Sequence, residues 1–304
     1  MFSYSAFGLH FLSEIDFSQI FLSNPSFIED SLTVTVRFGS VPDGLPDAKI
    51  VAILYQISTD QFWFEVPHIA RYWVKQGREI IIQPSEGADE DSVIVFFLNT
   101  ALSALMHQRQ IAHLRANAVE TPAGALLFTG DSGTGKSTLT ALFQQNGFRV
   151  ICDDITSLMF DEQGEAYVVP GSPTLKLWRS ALDGMAGIDR AQLRRIRPGI
   201  ERYNFPVGDR FCAEPQLLRK IYFLGYLNRD DYALQPISMI AQLPALLTQV
   251  YQQRIAVGMG VMPTYWKPLA SLVGKIPITR LSRPSVGGDF DRLFALVRAD
   301  ESDS

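Results

Sequence analysis

A chain of 304 residues is long enough for about two folding units, and with 47% apolar and 19% charged residues it is not intrinsically disordered, since disorder needs low hydrophobicity and high charge. The net charge of −5 argues against nucleic acid as a partner, and the only two cysteines, Cys152 and Cys212, cannot build a disulfide framework, which points to a reducing cytoplasm. Neither a secretory signal nor a membrane span is expected: the first sixteen residues carry no basic segment before an apolar run, and the uncharged stretch 92–106 is too short for about 30 Å of hydrocarbon.

In chain order, residues 1–85 show period-two runs such as Leu32-Thr33-Val34-Thr35-Val36 and Glu79-Ile80-Ile81-Ile82-Gln83, separated by turn signals such as Pro42-Asp43-Gly44. They predict a small, mostly β domain over 1–90. The polar stretch 84–91 breaks the pattern. Residues 92–108 are too continuously apolar for a half-exposed strand and predict a buried helix, capped near Asp89 or Asp91, that opens a second unit over 91–304. Strands are expected at 116–120 and 125–129, then a Gly-rich loop, a helix from Lys136 to about Gln145, a stop at Gly147, and a strand over 148–152. This β-loop-α-β succession places the second unit in the α/β (α+β) class. Further strands are expected at 166–169, 220–226 and 276–281, helices near 237–254 and 289–298, and a frayed tail over 300–304.

The loop carries the chemistry. Gly130-Asp131-Ser132-Gly133-Thr134-Gly135-Lys136-Ser137, followed by Thr138, fits G-x-x-x-x-G-K-[ST], the phosphate-binding P-loop. Its glycines let successive backbone N–H groups face phosphate oxygens, and the following helix adds the positive end of its dipole. Lys136 would reach the β- and γ-phosphates of ATP and Ser137 would give its hydroxyl to Mg²⁺. The bland alternative is a flexible Gly-rich turn, but the strand before and the helix after are the context the motif requires.

Seventeen and eighteen residues after Lys136, the apolar run Val150-Ile151-Cys152 delivers two carboxylates, Asp153 and Asp154. One could hold Mg²⁺ while the other accepts a hydroxyl proton, the division that phosphoryl transfer needs. Alone, the pair would read equally well as a turn cap.

From Gly124 to Asp154 the chain resembles the kinase domain of HPr kinase/phosphorylase, in which the P-loop helix ends at a glycine and an apolar strand ends in Asp-Asp. The resemblance implies the fold shared with phosphoenolpyruvate carboxykinase, ATP and Mg²⁺ as cofactors, Asp153 as catalytic base, and Asp154 beside the metal. Tyr72-Trp73-Val74, Leu105-Met106-His107-Gln108-Arg109 and Pro170-Gly171-Ser172-Pro173-Thr174-Leu175-Lys176-Leu177-Trp178 are similar to landmarks of a narrower branch, the serine kinases associated with lasso-peptide biosynthesis. That likeness implies a peptide substrate phosphorylated on its C-terminal serine and hints at a homo-oligomer. Arg115 stands where the family has a histidine; it keeps a positive charge for phosphate but cannot shuttle a proton. The glutamate- and glycine-rich segment of true HPr kinases does not follow Asp154, so action on the HPr protein and the reverse phosphorylase reaction are not expected.

Weaker signals remain. Lys176, between Leu175 and Leu177, is either a phosphate contact or a solvated lysine; Arg194, Arg195, Arg197 and Arg202 are either a carboxylate grip or a solvated helix end; Arg280 and Arg283 are candidates for the nucleotide. His107 and His113 have no metal-ligand spacing, and Cys152 reads as a small core residue. The leading expectation is an ATP- and Mg²⁺-dependent serine kinase acting on a peptide. The competing ones are a nucleotide-binding regulatory module without phosphotransfer and a small-molecule kinase.

Overall fold

Residues 1–24, 32–185, 188–228, 231–286 and 288–302 are described by a computed structural model. The period-two segments pair into one nine-stranded sheet made of β1 (Phe2–Ala6), β2 (Leu9–Ser13), β3 (Leu22–Ser23), β4 (Thr33–Phe38), β5 (Ile50–Val51), β6 (Tyr55–Ile57), β7 (Gln61–Val66), β8 (Ala70–Lys75) and β9 (Glu79–Pro84), in the order β3-β1-β2-β4-β9-β8-β7-β6-β5. Alternation sends Tyr4, Phe11, Val34, Val36, Phe64, Tyr72 and Ile82 to one buried face. That face needs a cover, and the apolar run beyond it supplies one. Asp89 caps its start by accepting the Ser92 N–H at 2.8 Å. The chain then runs through α1 (Glu90–Phe96), a π turn (Phe97–Ala101) and α2 (Leu102–Gln108). Val93, Phe97, Leu102 and Leu105 are buried in the core of the first sheet, with the Phe97 ring stacked on Phe17 at 4.6 Å. The helix expected to open the second unit therefore packs against the first.

The second sheet comprises β10 (Ala112–Thr121), β11 (Gly124–Thr129), β12 (Arg149–Cys152), β13 (Ile155–Phe160), β14 (Ala166–Val169), β17 (Gln216–Leu227), β18 (Ala233–Pro236) and β19 (Ile278–Pro284), ordered β11-β10-β13-β14-β17-β19-β18 with β12 beside β10. Because β11 also pairs in parallel with β17, the strands β10, β11, β17, β14 and β13 close into a ring. Between β14 and β17 the pair β15 (Thr174–Trp178) and β16 (Arg202–Pro206) stands apart, with α4 (Arg179–Asp183) in the connection between them. Helices α3 (Lys136–Gln145), α5 (Met239–Thr248), α6 (Gln253–Gly258), α7 (Met262–Ala270) and α8 (Phe290–Ser302) complete a mixed α/β fold. Among the described residues no helix is long and apolar enough to cross a membrane.

Beyond shifted ends and unexpected elements such as β13, β16, β18 and α7, three of the expected elements differ. The strand expected at 116–120 begins at Ala112, because its first residues pair with β13 while the later ones pair with β11. The helix expected near 237–254 is split into α5 and α6. The turn between them is tied down by the Tyr251 N–H donating to the His113 carbonyl at 3.2 Å, a tertiary contact with no local signature. The expected frayed tail is instead the end of α8: Asp300 accepts the Tyr222 hydroxyl at 2.8 Å and pairs with Lys220 at 2.8 Å. Residues 303 and 304 lie outside the described residues.

Candidate nucleotide site

β11 delivers the chain to Gly130, whose φ of 131° only glycine adopts readily. A Cβ there would lie 2.4 Å from the Leu224 carbonyl oxygen on β17, so the close approach of the two parallel strands requires the missing side chain. Gly130→Ala is expected to destabilise the protein by about 3 kcal/mol or more, from overpacking plus backbone strain; urea unfolding reads this directly, and a loss under about 1 kcal/mol would mean that the strands separate easily. Gly133 and Gly135 also take positive φ, 88° and 103°, and Gly135 precedes α3 without any side-chain cap. The first N–H groups of α3 are thus left for an anion, as in a phosphate cradle.

Lys136 is buried and its Nζ donates to the carbonyls of Gly130 at 2.7 Å and Asp131 at 2.8 Å, which folds the ammonium back along the loop. Around it opens a cavity of about 440 Å³, lined from the loop by Ser132, Gly133, Gly135, Lys136, Ser137 and Thr138. Arg115 of β10, Lys176 of β15, Arg202 of β16 and Arg283 of β19 also line it. Gly130, Asp131 and Thr134 shape the loop from outside this lining, with Thr134 donating its hydroxyl to Asp131 at 2.9 Å. At the outer rim Arg283 donates to the Thr134 carbonyl at 3.1 Å and lies over the rings of Tyr226 and Phe290, at 4.8 and 4.9 Å.

The two aspartates part company at the end of β12. Asp153 turns under the loop: its Oδ1 accepts the Ser137 hydroxyl at 2.8 Å and the Asn117 amide, and its Oδ2 accepts the Lys176 backbone N–H at 2.8 Å. It is 5% exposed and does not line the cavity. Asp154 does line it. Its backbone is held at φ 68°, a left-handed conformation uncommon for a residue with a side chain, and its N–H donates to Asn117 Oδ1 at 3.2 Å. Its Oδ2 accepts the Tyr251 hydroxyl at 3.3 Å and lies 3.7 Å from Lys176 Nζ.

The environments push the two carboxyls apart. Burial raises the pKa of Asp153, and the neighbouring charge of Asp154 adds to it. Burial would raise Asp154 too, but Lys176, Arg202, Arg115 and Lys136 outweigh it and hold this carboxyl below the ordinary range. Burial also lowers the pKa of Lys136, a shift that Asp154 opposes and Arg115 reinforces.

Of the weaker candidates, Lys176, Arg202 and Arg283 reach the cavity. Arg194 pairs instead with Asp91 at 2.6 Å, Arg195 with Glu201 at 2.6 Å, Arg197 lies over the Phe96 ring, and Arg280 is exposed outside the lining. His107 and His113 are core histidines, bridged by the Tyr265 hydroxyl at 2.8 and 3.0 Å; burial drives their pKa values down to about 2 and about 4. Cys152 is fully buried, and burial pushes its thiol up to about 12, the environment of a small core residue. Sequence reasoning missed Asn99, Asn117 and Tyr251, all at the cavity. Asn117, an amide between Ala116 and Ala118 on β10, was the one detectable signal.

No protein-family model matches the chain, and no curated protein matches it. Among solved structures it is similar to the Hpr(Ser) kinase/phosphatase from Coxiella burnetii, at 13% identity, over 63% of this chain and 97% of that one, with a TM-score of 0.33. A score that low adds nothing to what the strand, loop and helix around Gly130 themselves show.

Proposed function

We propose that the protein is an ATP- and Mg²⁺-dependent kinase that phosphorylates a serine hydroxyl of a peptide, the C-terminal serine of a lasso-peptide precursor being the acceptor of choice. The observation that carries this reading is a carboxylate, Asp154, facing the same cavity as a P-loop lysine and an uncapped helix N-terminus. The triphosphate of ATP would lie along the N–H groups of Gly133 to Ser137, with Lys136 turning from the loop carbonyls to its β- and γ-oxygens.

Mg²⁺ suits the oxygens present: Ser137 lines the cavity with Asp153 behind it accepting its hydroxyl at 2.8 Å, and phosphate and water would complete the shell, as this ion prefers. When bound, it would neutralise charge on the transferring phosphoryl group.

Asp154, rather than the Asp153 that the family resemblance implies, is the base in this reading. Its carboxylate accepts the proton of the acceptor hydroxyl as that oxygen bonds to the γ-phosphorus and the bond to ADP breaks. Asp153 orients Ser137. Arg115, Lys176 and Arg202 balance charge that develops on the phosphoryl oxygens, so positioning and electrostatics supply nearly all the rate. Incubation with ATP and Mg²⁺ against serine-ending peptides and small hydroxy acids, followed by mass spectrometry, tests the proposal: a gain of one phosphoryl group on a peptide serine is expected. Modification of a small acid alone would make the protein a small-molecule kinase, and no transfer to any acceptor would leave a nucleotide-binding module.

A further inference from the structure

Most side chains that line the P-loop cavity are polar, and its apolar ones are largely covered. Leu177 and Tyr251 are buried, and the half-buried Phe290 carries the Arg283 guanidinium over its ring at 4.9 Å. Trp178 breaks this pattern, lining the same cavity with 52% of its surface exposed. Single exposed apolar residues are ordinary on protein surfaces. What sets this one apart is its place.

Trp178 ends β15, where alternation sends Leu175 and Leu177 into the core they share with Ala141 and Val150 and turns Lys176 and Trp178 the other way. Arg202, its partner across the β15–β16 pair, lies over the indole at 5.8 Å and donates from Nε to the Lys176 carbonyl at 3.1 Å. The ring is therefore braced, and little freedom is lost when something packs on it. Lys176 Nζ stands 3.7 Å from Asp154 Oδ2. Trp178 follows it by two residues, about 7 Å along the strand, so the indole lies one strand repeat from the side chain that meets the proposed base.

We infer that Trp178 is a specificity-determining platform for the acceptor, on which a large apolar or aromatic side chain one or two places before the phosphorylated serine packs. The inference rests on the kinase reading, which puts the acceptor hydroxyl at Asp154. A serine at a C-terminus has neighbours on one side alone, so its sequence context is read from the residues that precede it. An extended peptide advances about 3.5 Å per residue, and a chain that leaves Asp154 past Lys176 brings one of the two preceding side chains to the indole. A ring packed there gains beyond its buried area. Glycine has nothing to place on it.

Binding of short peptides tests this without turnover. The probes are Gly-Gly-Gly-Ser, Gly-Gly-Phe-Ser and Gly-Phe-Gly-Ser, titrated by ligand-observed NMR against the full chain loaded with ADP and Mg²⁺. The better of the two Phe peptides should bind about tenfold more tightly than the all-Gly one. In Trp178→Ala that ratio should fall below about threefold, with ADP affinity by calorimetry changed by less than about threefold, and in Trp178→Phe the ratio should stay above that limit. A wild-type ratio below about threefold, or one that survives in Trp178→Ala, overturns the platform. So does a larger loss of ADP affinity in Trp178→Ala, which would give the ring to the nucleoside. Should Trp178→Ala fail to fold, Trp178→Gln, which keeps a long side chain without the ring, is held to the same limits. If the wild type transfers phosphate to no acceptor, the kinase reading falls while the binding ratio still judges Trp178.

Discussion

Asp154→Asn is expected to cut phosphoryl transfer by roughly 10²-fold or more, the usual weight of a general base, while ATP binding stays near normal. The amide fills the same space and can still meet Tyr251, but it cannot take a proton as the carboxylate does. Removing one negative charge from a wall of cations should if anything tighten binding of a polyanion. Asp153→Asn should give a different pattern. Its oxygens accept from Ser137, Asn117 and the Lys176 N–H, so an amide there must turn a donor toward a donor inside the protein, costing about 1 to 3 kcal/mol of stability and weakening the dependence on Mg²⁺. Single-turnover transfer, calorimetric ATP affinity and a Mg²⁺ titration on both variants separate the roles. Normal turnover in Asp154→Asn with near-abolished chemistry in a folded Asp153→Asn would reverse them.

Lys136→Ala should be the most severe change in the loop. A charge-assisted contact to phosphate contributes about 1.5 to 3 kcal/mol, so ATP affinity should fall about 10- to 150-fold, and turnover further still because charge is redistributed in the transition state. A second effect is specific to this structure. The Lys136 ammonium bonds to the Gly130 and Asp131 carbonyls, so the variant also loses an internal brace of the loop. Lys136→Arg distinguishes the two, since it keeps the charge but not the compact ammonium geometry. Unchanged affinity in Lys136→Ala would mean that the loop does not bind phosphate.

What the sequence could tell depended on whether the cause was local. The loop, helix α3 and the stop at Gly147 have local causes, glycines and apolar spacing, and α3 runs from Lys136 to Gln145 as expected. The two carboxylates were visible, but their surroundings were not, because Asp153 meets Ser137 while Asp154 meets Tyr251, a residue 97 positions away. The arginines separated for the same reason. Arg202 reaches the cavity because β16 pairs with β15, whereas Arg194 is neutralised by Asp91 from the first helix.

The ring closed by the parallel pairing of β11 with β17 has a consequence for the order in which the protein is made. Gly130 is pressed against Leu224, its N–H is accepted by Gln249 at 3.2 Å, and Arg283 holds the loop at Thr134. A ribosome delivers those partners some 90 to 150 residues after the loop itself. A nascent chain that already carries Lys136 and both aspartates therefore lacks the walls that shape the cradle, and contacts of such long sequence separation form late and slowly. The loop can therefore take its final shape only once nearly the whole chain has been made, however early its own residues appear.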